Sequence, residues 1–139
     1  MMVKVVADAG LYVTALSFGG AADDVLGLGR RRRIALFVSS PILNEIGAIL
    51  IKGFAWSREN ALKARIGIRG FAQFVKEDTR VAPNRRLGTA RAVLDCAVEA
   101  EAQFVITGDP TLRRLRRFEG IVIVSPSRFL ELRPYAGKG

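Results

Sequence analysis

The chain has 139 residues, half of them hydrophobic and a quarter charged, which suits one globular domain with a core of its own. It contains no histidine and a single cysteine, Cys96, so a disulfide scaffold, histidine-based nucleophilic schemes and histidine-rich zinc sites are excluded. Net charge is +9, from 22 basic against 13 acidic residues, and the basic residues are mostly arginine, which points to an anionic partner, either nucleic acid or an acidic protein segment.

In chain order, Val3–Ala7 is apolar apart from Lys4 and reads as a first strand, with Asp8 directly beyond its end. Leu11–Ser17 reads as a helix that Phe18-Gly19-Gly20 breaks. Ala21–Gly29 is a second short helix with Asp23 and Asp24 near its start, as the helix dipole favours. Arg30–Arg33 is a basic surface link to a second strand, Ile34–Val38. Ser40 as N-cap and Pro41 as first helical residue open a helix whose apolar face carries Ile42, Leu43, Ile46, Ile49 and Leu50. Ser57 caps the next helix, from Arg58 to about Val75, weakened at Gly67 and Gly70.

Thr79–Ala82 reads as a short third strand. Thr89 caps a helix over Ala90–Ala100 with Val93, Leu94, Ala97 and Val98 inward. Phe104–Ile106 is a fourth strand that runs into Thr107, Gly108 and Asp109. Pro110 starts a short helix with a basic face, Ile121–Val124 is a fifth strand, and Ser125-Pro126 opens a last short helix. Residues 1–133 form the domain and 134–139 a flexible tail. Phe71, Phe74, Phe104 and Phe129 sit in apolar patterns and read as core. No run is long enough to cross a membrane and no signal-peptide pattern opens the chain, so the cytoplasm is the expected location.

Strands and helices alternate along the chain, which gives a parallel sheet with helices on both faces. Asp8 and Asp109 then stand at one edge of that sheet, beyond the carboxyl ends of their strands. Glu45, early in the helix after the second strand, reads either as a third carboxylate at this edge or as an acid favoured by the helix dipole. Ser40 and Thr107 are hydroxyl neighbours. Converging carboxylates suit a hard, oxygen-loving cation, Mg²⁺ or Mn²⁺, and the reaction class is metal-assisted phosphodiester hydrolysis.

Val5-Val6-Ala7-Asp8, Ser40-Pro41-Ile42-Leu43-Asn44-Glu45, Asp95-Cys96-Ala97 and Val105-Ile106-Thr107-Gly108-Asp109 resemble the successive blocks of PIN domains. The closing Ile121–Leu132 resembles the last strand and helix of that family. The nearest group is the toxin components of toxin–antitoxin systems, similar to VapC-type toxins. The resemblance implies a three-layer α/β/α sandwich with a central parallel sheet of about five strands. It also implies a Mg²⁺- or Mn²⁺-dependent ribonuclease, a cognate antitoxin as partner, RNA as substrate and a homodimer. Its acids fall on Asp8, Glu45 and Asp109 as catalytic and metal-binding residues, with Thr107 as the hydroxyl before the glycine. Arg113 and Arg114 follow Asp109 closely and are expected to guide RNA.

Two positions depart from the pattern. Gly10 stands where the family usually has Asn, and Ala90 where it has Asp. Asp95 lies about 140° further round the helix from Ala90 and is expected to point away from the site. The loss leaves room for one ion and makes a two-ion clamp doubtful. It also leaves two alternatives: Arg85, Arg86 or Arg91 pairing with Asp8 or Asp109 in place of a metal, and a PIN fold that binds RNA or an antitoxin without cleaving.

Overall fold

The computed structural model describes residues 2–76 and 89–136. Among these, the elements run β1 (Val3–Ala7), α1 (Ala9–Phe18), α2 (Gly20–Arg30), β2 (Ile34–Val38), α3 (Ser40–Phe54) and α4 (Arg58–Arg69). They continue with β3 (Gln73–Phe74), α5 (Thr89–Glu99), β4 (Phe104–Ile106), α6 (Pro110–Leu115), β5 (Arg117–Phe118), β6 (Ile121–Val124) and α7 (Pro126–Leu132). The strands form one sheet in the order β3-β2-β1-β4-β6-β5, parallel except for β5. This is the α/β/α sandwich that the alternation of elements and the motif blocks imply. No helix among the described residues is long and apolar enough to cross a membrane.

The sheet has six strands among the described residues, not about five, because two of them are only two residues long. β5 folds back on β6 through Glu119-Gly120, both at positive φ (50° and 82°), a two-residue turn of the kind that suits strand twist. β3 lies inside the stretch read as the end of a long helix. That helix stops at Arg69, where Gly70 caps it and the backbone turns into the sheet edge. The strand expected at Thr79–Ala82 lies outside the described residues.

The core is built where the patterns place it. β1 and β4 are buried through their last residues, and Val5, Val6, Val105 and Ile106 are fully enclosed between the helix layers. Tyr12, Leu26, Ile46, Leu50, Leu94 and Phe129 close over them. Cys96 is buried and in no disulfide, a structural thiol. Three expectations fail on local packing. Val98 is turned out to solvent, since the inward stripe of α5 follows Val93, Leu94 and Ala97. Phe74 is exposed at the sheet edge, where the Arg69 guanidinium lies over its ring. Ser40 does not cap α3, because the extended backbone of Ser39 (φ −120°, ψ 168°) makes Ser39 the boundary residue and Ser40 the first helical one. Within the segment read as a tail, Tyr135 rests on Phe129, ring centroids 5.7 Å apart. Residues 137–139 lie outside the described part.

Candidate active site

The strand order reverses between β1 and β4: the chain leaves β1 toward β2 on one side, and leaves β4 toward β6 on the other. Such a switch point opens a crevice beyond the carboxyl ends of the two strands. A cavity of about 410 Å³ lies there, and Asp8, Glu45 and Asp109 all line it.

Two of the acids are delivered by strand-to-helix junctions. Asp8 follows β1 and is the N-cap of α1, its Oδ1 accepting from the Leu11 N–H at 2.9 Å. Asp109 follows β4 and is the N-cap of α6, its Oδ1 accepting from the Thr111 N–H at 2.9 Å. Thr107 joins the two. Its hydroxyl donates to Asp8 Oδ2, and its oxygen accepts the Asp109 N–H at 2.9 Å. Thr107 and Asp8 are both buried, while Asp109 is exposed.

Glu45 stands beyond the terminal turn of its helix. Counting from Ser40, it is in the second turn of α3, and the first turn of that helix carries no acid. The helix dipole acts on the terminal turn and gives little reason for an acid so far in. It is half-buried and lines the cavity.

Burial, the largest influence, raises the Asp8 carboxyl above its ordinary range, and the nearby charge of Asp109 raises it further. The hydrogen bonds from Thr107 and Leu11 pull the other way and do not cancel this. Among the described residues no arginine or lysine lines the cavity. Arg91, one of the three alternatives for a metal-free ion pair, instead pairs with Asp95 at 2.8 Å, one helical turn along. Arg85 and Arg86 lie outside the described residues. Asp95 does not line the cavity, as its angular position on α5 requires.

Both substituted positions face the same space. Gly10 and Ala90 line the cavity with the three acids. A Cβ built on Gly10 would stand 3.8 Å from Asp8 Oδ1, an ordinary contact, so a side chain there would adjoin the carboxylate. The acids share these walls without forming a closed cage. Among the described residues no three histidine, cysteine, aspartate or glutamate side chains are grouped to hold one ion between them.

Ser40 is exposed at the start of α3 and does not line the cavity. Arg113 and Arg114 are exposed in the last turn of α6, outside the cavity walls, where cations suit the helix dipole. Sequence reasoning passed over Thr14 and Leu112, which line the cavity from α1 and α6. Leu112 stands three residues after Asp109, a same-face spacing, whereas Thr14 is six after Asp8 and only the packing of α1 brings it to the cavity.

No family model matches the chain, and no curated protein matches it in sequence. Solved structures do match in shape. A chain of VapBC2 from Rickettsia felis, solved bound to a DNA fragment from their promoter, aligns with a TM-score of 0.61 at 9% identity, over 86% of this chain and 96% of that one. PAE2754 from Pyrobaculum aerophilum aligns with a TM-score of 0.58 at 18% identity, over 94% of this chain and 89% of that one. With its strand order and these two likenesses, the chain carries a PIN-like fold.

Proposed function

We propose that this protein hydrolyses phosphodiester bonds in RNA with a single Mg²⁺ or Mn²⁺ ion, at a rate limited by its reduced acid set, as the toxin of a toxin–antitoxin pair. The observation that carries this reading is the convergence of Asp8, Glu45 and Asp109 on one open cavity, two from strand-to-helix junctions and one from the second turn of α3. Asp8 and Asp109 would hold the ion, with Glu45 acting through water. Mg²⁺ is usually held by only one or two carboxylates together with waters and substrate phosphates. Such an ion lowers the pKa of a coordinated water and polarises the scissile phosphate.

The chain's own residues supply the rest. Thr107 holds Asp8 and the Asp109 backbone in fixed relation, so the two carboxylates are positioned before any ligand arrives. Asp109 is near enough for its charge to raise the Asp8 carboxyl, a repulsion that a cation between the two would relieve. Arg113 and Arg114, exposed in the last turn of α6, would draw the phosphate backbone toward Asp109. The likeness to VapBC2 supports an antitoxin partner, and a homodimer accords with the same reading.

A second reading, a PIN fold that binds RNA or an antitoxin without cleaving, is favoured by one observation. Gly10 and Ala90 place no oxygen donors on the cavity wall. Calorimetric titration of Mn²⁺ into the wild type and Asp8→Asn separates the two. Binding of one ion that disappears in the variant is the result expected of the nuclease. Absence of binding in both leaves the non-cleaving fold. Ala90→Asp is expected to tighten Mn²⁺ binding and raise RNA cleavage above the wild-type level.

A further inference from the structure

The end of the sheet opposite the acidic cavity, where β1, β2, β4 and β6 begin, carries two hollows of opposite charge. One, of about 260 Å³, lies beside the start of β2. Arg30 and Arg32 line it from the link between α2 and β2, Arg69 lines it from the end of α4, and no acid does among the described residues. The other, of about 540 Å³, lies beside the starts of β4 and β6. Glu101 and Glu119 line it, and no cation does among the described residues. β1 runs between the two hollows, with β2 on one side and β4 on the other.

The two clusters stand at about one depth. Val3 pairs with Ile34 and Val5 with Phe104, so counting back along the strands sets Arg33 and Glu101 level with Met2, one on either side. β2 and β4 are two strand steps apart, about 10 Å at roughly 4.8 Å per step. Tight turns hold the backbone there. Arg32 N donates to Gly29 O and Glu101 N to Val98 O, each at 3.1 Å, where α2 and α5 end. Arg30 pairs with Asp23, and the Arg69 guanidinium lies over the Phe74 ring. Arg32, Arg33, Glu101 and Glu119 are exposed and have no ion-pair partner among the described residues. Apolar side chains line both hollows, and of these Met2 in one and Val98 in the other are exposed.

A nucleic acid or a uniformly acidic protein that met Arg32 and Arg33 would run onto Glu101 and Glu119 beside them. The face calls for a partner with both signs in the reverse order, and this chain is one. Turning a copy by 180° about an axis normal to the sheet at Met2 brings the start of its β4 to the start of β2, and the start of its β2 to the start of β4. We propose that the protein pairs with a second copy through this end of the sheet, with Arg32 and Arg33 of each copy against Glu101 and Glu119 of the other. The net charge of +9 on each copy opposes this, but salt screens exposed charges beyond about 8 Å, so the groups in contact decide. The apolar linings add buried area, and the charges fix the register. The acidic cavities stay open at the two far ends of the dimer. The proposal gives the homodimer a surface and does not rest on the nuclease reading, since neither metal nor RNA enters it.

The test is sedimentation velocity of the full chain in EDTA at low salt, where the wild type is expected to dimerise. Arg32→Glu/Arg33→Glu and Glu101→Arg/Glu119→Arg are each expected to weaken self-association at least about tenfold, because each sets like charges together at both contacts. The two changes move net charge in opposite directions, so net charge alone cannot weaken both. Mixed in equal amounts, the two variants are expected to pair with each other within about threefold of the wild-type affinity, because mixing restores opposite charges at both contacts. A wild type that stays monomeric overturns the proposal. So does a variant that self-associates as the wild type does, or a mixture that pairs no better than either variant alone. If a double variant does not fold, as judged by circular dichroism, Arg33→Glu and Glu101→Arg, alone and mixed, carry the same comparison.

Discussion

Asp8→Asn is expected to make the folded chain more stable at neutral pH while removing a residue of the acidic site. Asp8 is 8% exposed, and burial outweighs the hydrogen bonds from Thr107 and Leu11, so its carboxyl sits above the usual 3.8. A carboxyl that holds its proton more tightly in the folded state contributes its full stability below the unfolded pKa. That contribution is lost as pH rises through the folded value. At pH 7 the ionised group therefore works against folding. Asparagine retains the cap, since Asn and Asp serve equally at that position, and its oxygen still accepts from the Leu11 N–H. Its amide donates to Thr107 Oγ1, whose hydroxyl turns away.

The gain is read from the rise in Tm: for 139 residues at about 2.1 cal/mol/K each, every 1 kcal/mol of added stability corresponds to about 3 °C. Thermal and urea unfolding of both proteins in EDTA, from pH 7 downward, measures it. The advantage of the variant should shrink toward zero as pH falls to the ordinary carboxyl value of 3.8. A variant less stable than wild type at pH 7, or a difference that does not change with pH, refutes the reasoning.

Thr107→Val removes the donor to Asp8 and the acceptor of the Asp109 N–H together, and is expected to cost about 2 kcal/mol in urea unfolding. The cost should be larger at pH 7 than at pH 4, because the hydrogen bond it removes lowers the Asp8 carboxyl. Gly29→Ala would set a Cβ 2.2 Å from Leu36 Cδ1, both residues buried, and the overpacking is expected to cost about 1–3 kcal/mol in thermal denaturation. Ser57→Ala removes the oxygen that accepts from the Asn60 N–H at 3.0 Å. A loss of about 1 kcal/mol is expected, with faster amide exchange in the first turn of α4.

Four of the strands were legible in the chain because each is an apolar run bounded by a polar stop: Val3–Ala7, Ile34–Val38, Phe104–Ile106 and Ile121–Val124 coincide with β1, β2, β4 and β6. Gln73–Phe74 and Arg117–Phe118 were not, since two residues are too few to show a period. The Glu119-Gly120 pair between Phe118 and Ile121 was the one local sign of the hairpin, and it is a weak one. The helix over residues 58–75 ran too long because Gly70 was read as a weakness and not as a stop.

Asp8 and Asp109 could be placed from their neighbours alone, because a residue directly after a parallel strand has little choice of where to stand. Glu45 could not. Its distance from the other acids depends on how α3 crosses the sheet, and local spacing allowed two readings until the helix was packed. The same is true of the basic hollow: Arg30–Arg33 reads as a solvated run in the chain, and only the pairing of β2 with β3 brings Arg69 to it. Local patterning thus determined the strands, most of the helices and the edge at which the acids stand. Which distant side chains meet, and with what charge around them, was decided by the tertiary packing, because those separations are set by crossover geometry and not by any run of neighbouring residues.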